Sequence, residues 1–365
     1  MILDRLDVHN VRIVRRAELR LSPNSNLIVG ANGAGKTTLL EAIHLLVRGR
    51  SFRSGGLDSL ITFGEDELLA TAAGRHEGHA LKIGLRKLRN AKVRMRMNET
   101  DVRQISQIAS AIPLQIFLPD VSDLVFGPPA GRRLWLDWAV FHADPGYMHE
   151  LRSFQRALRQ RNAALKSRSP DLNSWTVQLA EHADTVTKTR EKIFAEIKSS
   201  FRQQLSEIAP NIRINLDYVR GWQGQSLLEG LAKDHVLELK YGMTRLGPHR
   251  SEVRIRTLDT ETGQDVGASA RSLSRGQAKA VACAMKLAQV RYLNSRSIPS
   301  VVLIDDVASE FDEEYGRRFF EALLRTGSQV VATTTQESDI ITMWRDISPI
   351  VPLIVRMNKG RLAEA

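Results

Sequence analysis

The stretch Gly30-Ala31-Asn32-Gly33-Ala34-Gly35-Lys36-Thr37 decides how this chain is read. It follows the apolar run Leu27-Ile28-Val29. It opens into Thr38-Leu39-Leu40-Glu41-Ala42-Ile43-His44-Leu45-Leu46-Val47, whose apolar residues at 39, 40, 43, 46 and 47 keep a helical spacing. The order predicts a short buried strand, a glycine loop and a helix, and the spacing fits G-x-x-x-x-G-K-[ST], the phosphate-binding P-loop. Glycines let the backbone bend until successive N–H groups face one anion, and the helix N-terminus adds a favourable dipole. Lys36 is then expected to reach the β- and γ-phosphates of ATP, and the Thr37 hydroxyl to ligate Mg²⁺. Gly30, Ala31, Asn32, Gly33, Ala34, Gly35 and Thr38 are the accompanying nucleotide contacts, and Arg12 sits between two upstream strands on an edge near them.

Composition sets the outer limits. With 365 residues, 42% of them hydrophobic and 25% charged, the chain has room for two domains and a substantial core. No run of eighteen apolar residues predicts a membrane span, and Met1-Ile2-Leu3-Asp4-Arg5-Leu6 lacks the layout of a signal peptide. The single cysteine, Cys283, lies in the apolar run Ala280 to Met285. That excludes a disulfide framework and a Cys-based zinc site, and makes a reducing cytoplasm the natural compartment. A net charge of +11 points to polyanionic partners, either nucleic acid or a membrane surface.

Around the P-loop, residues 1–29 read as two or three strands. Residues 57–97 read as an antiparallel meander, with strands at 68–72, 80–85 and 93–97. In the last of these Lys92, Arg94 and Arg96 share one face, and residues 75–96 hold eight Lys/Arg against the single acid Glu77. This makes a candidate DNA-backbone surface. Between 119 and 240 the texture changes to two long amphipathic helices, 146–168 and 174–208, separated by Ser169-Pro170-Asp171. Arg152, Arg156 and Arg159 line one face of the first and are a second candidate DNA surface.

Further on, Val301-Val302-Leu303-Ile304-Asp305-Asp306 is an apolar strand ending in two carboxylates, the Walker B pattern. Asp305 is expected to hold Mg²⁺ and Asp306 to orient or deprotonate the attacking water, so that Lys36, Asp305 and Asp306 are the catalytic candidates. About thirty residues upstream, Leu273-Ser274-Arg275-Gly276-Gln277 opens another helix. Ser274, Gly276 and Gln277 at a helix N-terminus suit an anion.

A P-loop, that helix start and Walker B, in this order and spacing, resemble the ABC/SMC-type ATPase heads and, within them, the RecF family of bacterial recombination mediators. The likeness runs through essentially the whole chain. It includes Gly127-Pro128-Pro129, Arg132-Arg133, Gln160-Arg161-Asn162, Gly247-Pro248-His249 and Asp305-Asp306-Val307-Ala308-Ser309-Glu310-Phe311-Asp312. The resemblance implies an α/β head with a mixed sheet, formed by 1–118 and 241–365, and an inserted, mainly helical domain at 119–240. It implies an ATP-driven homodimer in which Ser274 meets the γ-phosphate bound by the other subunit. The implied task is recognition of gapped or junction double-stranded DNA and help to RecO and RecR in loading RecA, with slow, DNA-stimulated ATP hydrolysis. Asp306 stands where ABC ATPases have a longer glutamate, no histidine follows the strand ending at Thr333, and Pro119-Asp120 lies near the usual Q-loop glutamine, though Gln115 could serve. These departures suit slow turnover. The rival readings are a transporter subunit, an SMC-type head serving another partner, and an ATP-binding protein whose hydrolysis is vestigial.

Overall fold

The computed structural model describes residues 2–53, 55–306 and 313–363. Ser309, Glu310, Phe311 and Asp312 of the motif after Walker B lie outside the described residues.

The chain opens with the strands β1 (Ile2–Val11), β2 (Val14–Arg20) and β3 (Ser25–Val29), followed by the P-loop and helix α1 (Lys36–Arg48). Next come β4 (Glu67–His76), β5 (His79–Leu88), β6 (Arg94–Met97) and β7 (Thr100–Asp101), then α2 (Ser106–Ala111) and β8 (Leu114–Phe117). The helical stretch holds α3 (Asp123–Phe126), α4 (Pro129–Ala143), α5 (Tyr147–Ser167) and α6 (Leu172–Ile208). It passes through β9 (Ile214–Val219), α7 (Leu227–Tyr241), β10 (Glu252–Leu258) and β11 (Asp265–Ala268) to α8 (Arg275–Ser295). The chain finishes with β12 (Val301–Ile304), α9 (Glu313–Leu324), β13 (Gln329–Thr334), α10 (Glu337–Ile347), β14 (Leu353–Asn358) and β15 (Arg361–Leu362).

Two compact units result, one of 1–121 with 293–365 and one of 122–292. The first holds two six-stranded sheets. One is antiparallel, in the order β2-β1-β4-β5-β6-β7; the other runs β15-β14-β3-β13-β12-β8 and is parallel from β14 to β8. A parallel sheet buried on both faces reads as continuous apolar runs, which is why Leu27-Ile28-Val29 and Val301 to Ile304 stand out in the sequence. α1 packs on β1, β4 and β5 of one sheet and on β13 of the other. Its residues 38 to 47 are all buried, and Leu39 and Leu40 have no exposed surface. Truncating either to alanine removes a side chain with no room to relax, at a cost of about 2–5 kcal/mol.

The second unit contains the helical hairpin of α5 and α6 and the sheet β11-β10-β9. α6 buries Leu179, Ala183, Val186, Ile193, Ile197, Phe201 and Leu205 at helical spacing. Two buried guanidinium groups pin the unit internally. Arg161 bonds Glu238 at 2.6 Å and Thr244 at 2.8 Å. Arg190 takes both oxygens of Asp137, at 2.8 and 2.9 Å, and also reaches the carbonyl of Pro248. Arg132 bonds Glu252 on β10 at 2.8 Å. Residues 241–292 thus cluster with the helices, whereas the sequence reading assigned 241 onward to the head. Cys283 is buried in α8, and burial pushes its thiol up to about 12.

Candidate functional site

The P-loop bends where the sequence supplies glycines. Gly35 has φ 105°, in the left-handed region that costs an L side chain energy, and it immediately precedes α1. At Gly30 a Cβ would lie 2.5 Å from the carbonyl oxygen of Met357 on β14, so only glycine fits. The Gly360 amide also bonds the Ala34 carbonyl at 2.9 Å. The β14–β15 turn therefore braces the loop from outside, a support with no motif in the sequence.

Lys36, Thr37, Asp305 and Asp306 converge on one cavity of about 360 Å³, lined also by Arg12, Ile13, Asn32, Gly33, Ala34, Gly35, Thr38 and Arg53. β12 is separated from β3 by β13, and the two motif ends are joined across that gap. Thr37 Oγ1 donates to Asp305 Oδ1 at 2.9 Å, and Thr333 Oγ1 at the end of β13 donates to the same oxygen at 2.8 Å. Thr333 Oγ1 in turn accepts the Asp306 amide at 3.0 Å. Asp306 has φ 48°, a left-handed conformation that Asp tolerates better than most residues. The Lys36 ammonium donates to the carbonyls of Gly30 at 2.7 Å and Ala31 at 3.1 Å. Burial pulls Lys36 below the usual lysine range, while the charges of Asp306 and Asp305 pull it back up.

This cluster sets a cation, a row of first-turn amides and two carboxylates around one space, the arrangement that grips a polyphosphate. Thr37 and Asp305 offer hard oxygen donors, and their count fits Mg²⁺, which commonly takes one or two protein carboxylates and completes its shell with phosphate and water oxygens. Among the described residues no group of three or more His, Cys, Asp or Glu could hold a metal without such help.

Arg12, in the turn between β1 and β2 with φ 50°, lines the same cavity. It clamps the fully buried Glu41 of α1 at 2.5 and 2.8 Å, and Ser51 donates to the same carboxylate. Burial pushes Glu41 up, but the hydrogen bonds from Arg12 and Ser51 and the Arg12 charge outweigh it and hold the carboxyl below its usual value. Arg53 and Thr333 were missed by sequence reasoning. Arg53 stands in no recognisable spacing, and Thr333 was noted only for the histidine its strand lacks. Gln115 is buried in β8, gives its Oε1 to the Ile116 amide, and does not line the cavity.

Ser274, Gly276 and Gln277 lie in the other unit, at the start of α8. Gln277 N donates to Ser274 Oγ at 3.2 Å and Ser274 N donates to Gln277 Oε1 at 3.0 Å, a reciprocal capping box. Ser274 is exposed, and because its Oγ is the acceptor in that cap the hydroxyl keeps its own proton to donate to a ligand. Among the basic candidates, Arg94 and Arg96 sit on β6, exposed and facing together. Lys92 is exposed and precedes the strand by two residues, in the loop that follows the left-handed Asn90. Arg152, Arg156 and Arg159 form one exposed stripe on α5.

A P-loop closed by a Walker B strand, with the capped start of α8 between them in the chain, defines a P-loop ATPase head of the SMC type, and the family model described as RecF/RecN/SMC N terminal domain matches residues 2–351. Within that class the likeness narrows. The chain is 32% identical over 345 residues to the DNA replication and repair protein RecF of Shewanella loihica, covering 93% of this chain and 94% of that one. With its counterpart from Vibrio vulnificus it shares 34% over 355 residues, covering 95% and 96%. A solved structure described as the recombination mediator protein RecF-ATP in the RecFOR pathway superposes with a TM-score of 0.83 at 26% identity, covering 100% of this chain and 99% of that one. The chain belongs to the RecF family. No helix among the described residues is long and apolar enough to cross a membrane.

Proposed function

We propose that this protein is a nucleotide-gated DNA clamp, an ATP-binding homodimer with slow, DNA-stimulated ATPase activity that acts in DNA repair and replication. The observation that carries the reading is the cluster in which Thr37 and Thr333 both bond Asp305 with Lys36 at the same cavity. The loop amides and Lys36 bind the polyphosphate. Thr37 and Asp305 would hold Mg²⁺, which would supply charge neutralisation at the phosphates. Asp306 orients water for attack. Its carboxyl is one methylene shorter than a glutamate, which suits turnover slow enough to time an event.

Ser274 contributes the outward hydroxyl of its capped helix to the γ-phosphate held by a second copy, so ATP joins two subunits and hydrolysis parts them. Family membership and the RecFOR pathway of the solved RecF-ATP relative support a role beside RecO and RecR that ends in RecA loading on gapped or junction DNA. The test is binding to gapped, blunt and single-stranded DNA with ATP, ADP or no nucleotide, with mass and phosphate release followed in parallel. ATP-dependent dimers that bind DNA and release phosphate faster on it are expected. An ATP complex that stays monomeric and indifferent to DNA would overturn the reading, and ATP-dependent DNA binding without phosphate release would leave a binding switch with vestigial hydrolysis.

A further inference from the structure

A glycine sits in the middle of the most basic strand of the antiparallel sheet. Gly84 on β5 lies on the face shared by Lys82 and Arg86, two residues to either side. Across the ladder it is paired with Thr71 on β4 and Arg96 on β6, while Arg86 is paired with Arg94. These residues enclose a surface concavity of about 530 Å³ with Gly84 in its floor. The notch exists because the floor residue has no side chain. A Cβ added at Gly84 would meet Thr71 Cγ2 at 3.5 Å, ordinary contact, so the backbone does not demand glycine there.

The charges are arranged against the stability of the sheet. Arg86 and Arg94 stand directly opposite each other, where like charges repel. Arg86 and Arg96 each have one carboxylate, Glu67 at 2.7 Å and Asp101 at 2.9 Å. Among the described residues neither Lys82 nor Arg94 has an ion-pair partner, although both line the notch. A glycine within a strand often marks the close approach of a ligand or another backbone. Here the approach ends on two unpaired cations and two partly paired guanidinium groups; the lining also holds Glu99, and the Thr71 hydroxyl donates to Asp7 at 3.4 Å.

We propose that the notch over Gly84 seats a phosphodiester group of the DNA backbone, with Lys82 and Arg94 as its principal contacts. This rests on the DNA-binding reading above and narrows it to one phosphate-sized position on the sheet. Base edges play no part, since the lining sets Lys82, Arg86, Arg94 and Arg96 against the single acid Glu99, a balance that suits a backbone phosphate. A free polyphosphate would satisfy the same groups, and the experiment separates the two sources.

Gly84→Val fills the floor without touching a charge and suits a strand. DNA affinity is measured over a salt series by fluorescence anisotropy for the wild type, Gly84→Val and Arg94→Gln. Tripolyphosphate binding is measured by calorimetry with the P-loop saturated by ADP. Both variants should bind ADP normally, bind blunt duplex severalfold more weakly, and flatten the log–log salt slope by about 0.9 for the phosphate lost. A Gly84→Val protein with the wild-type slope and affinity would overturn the notch, even if Arg94→Gln weakened binding through diffuse charge. Tripolyphosphate binding that Gly84→Val abolishes, with the DNA slope unmoved, would assign the notch to a free polyphosphate instead. A wild type that binds no DNA at all would sink the proposed function itself, a different result from either of these.

Discussion

Thr333 and Asp305 are hydrogen-bonded at 2.8 Å, and the threonine oxygen that donates to the carboxylate also accepts the amide of Asp306 at 3.0 Å. One hydroxyl on β13 therefore sets the direction of the carboxylate proposed to hold Mg²⁺ and the backbone of the residue proposed to orient water. Thr333→Val keeps the shape and removes both bonds, whereas Thr333→Ser keeps the hydroxyl. A hydrogen bond to a charged group contributes about 1.5–3 kcal/mol, so the valine variant should need on the order of tenfold more Mg²⁺ to support ATP binding. A Mg²⁺ titration of nucleotide affinity checks this, with serine expected to restore most of the loss. Equal Mg²⁺ dependence in all three proteins would remove Thr333 from the site.

The Arg12–Glu41 pair predicts a pH-dependent stability defect. In the wild type the Glu41 carboxyl is held below its usual value, so its contribution is present above the unfolded value of about 4.3 and is lost as pH falls through the lower folded value. Arg12→Ala reverses the sign. Burial then raises Glu41, the native state takes up a proton more readily than the unfolded chain, and the defect deepens as pH rises from about 5 to 8. Stranding a buried carboxylate costs about 3 kcal/mol, at the low end because Arg12 is itself partly open to water. Urea denaturation at pH 5 and pH 8 should show the larger deficit at pH 8, and a deficit independent of pH would count against the ion pair as its cause.

Most of the fold was legible because it rests on periodicity. The apolar runs at 27–29 and 301–304 became parallel strands, the alternating 57–97 segment became the meander, and the stripes on 146–168 and 174–208 became α5 and α6. The nucleotide site was legible for a different reason, since a P-loop needs glycines, lysine and a hydroxyl at fixed spacing whatever surrounds it. What could not be read were relations made by tertiary pairing alone. Thr333 reaches Asp305 only because β13 lies between β3 and β12, and Met357 meets Gly30 only because β14 lies on the far side of β3. The start of β6 was one residue off because strand ends depend on turn geometry, and the strand begins at Arg94 after the left-handed Asn90.

Ser274 has two roles that a single substitution can separate. As an N-cap it accepts from the Gln277 amide, and its hydroxyl proton is the group proposed to meet a partner-bound phosphate. Ser274→Asp keeps a cap of equal quality and sets a negative charge where the phosphate must come. The variant should fold and bind ATP like the wild type and remain monomeric with ATP in light scattering. Ser274→Arg should also stay monomeric but lose the cap, worth about 1 kcal/mol. Dimers of normal stability in the aspartate variant would show that the phosphate does not pass this helix start.

The two carboxylates and the lysine should divide their labour in a measurable way. Lys36 touches phosphate in the ground state and the transition state alike, so Lys36→Ala should lose ATP affinity and turnover together. Asp305 shares its Oδ1 between Thr37 and Thr333, and Asp305→Asn should weaken Mg²⁺ and behave like the lysine variant. Asp306 acts on water, so Asp306→Asn should keep ATP affinity and lose hydrolysis by on the order of a hundredfold or more. Asparagine is the right replacement at this position. With φ 48° the backbone is left-handed, a conformation that Asn adopts readily and that alanine or glutamate would strain, so an Asn variant reports on the carboxylate rather than on the loop. If hydrolysis parts the subunits, as proposed above, the Asp306→Asn protein should accumulate as an ATP-bound dimer on DNA. ATP affinity, turnover and dimer lifetime, measured for all three variants, decide it. If Asp306→Asn turns ATP over at the wild-type rate, another group activates the water, and the long-lived dimer should then be absent as well.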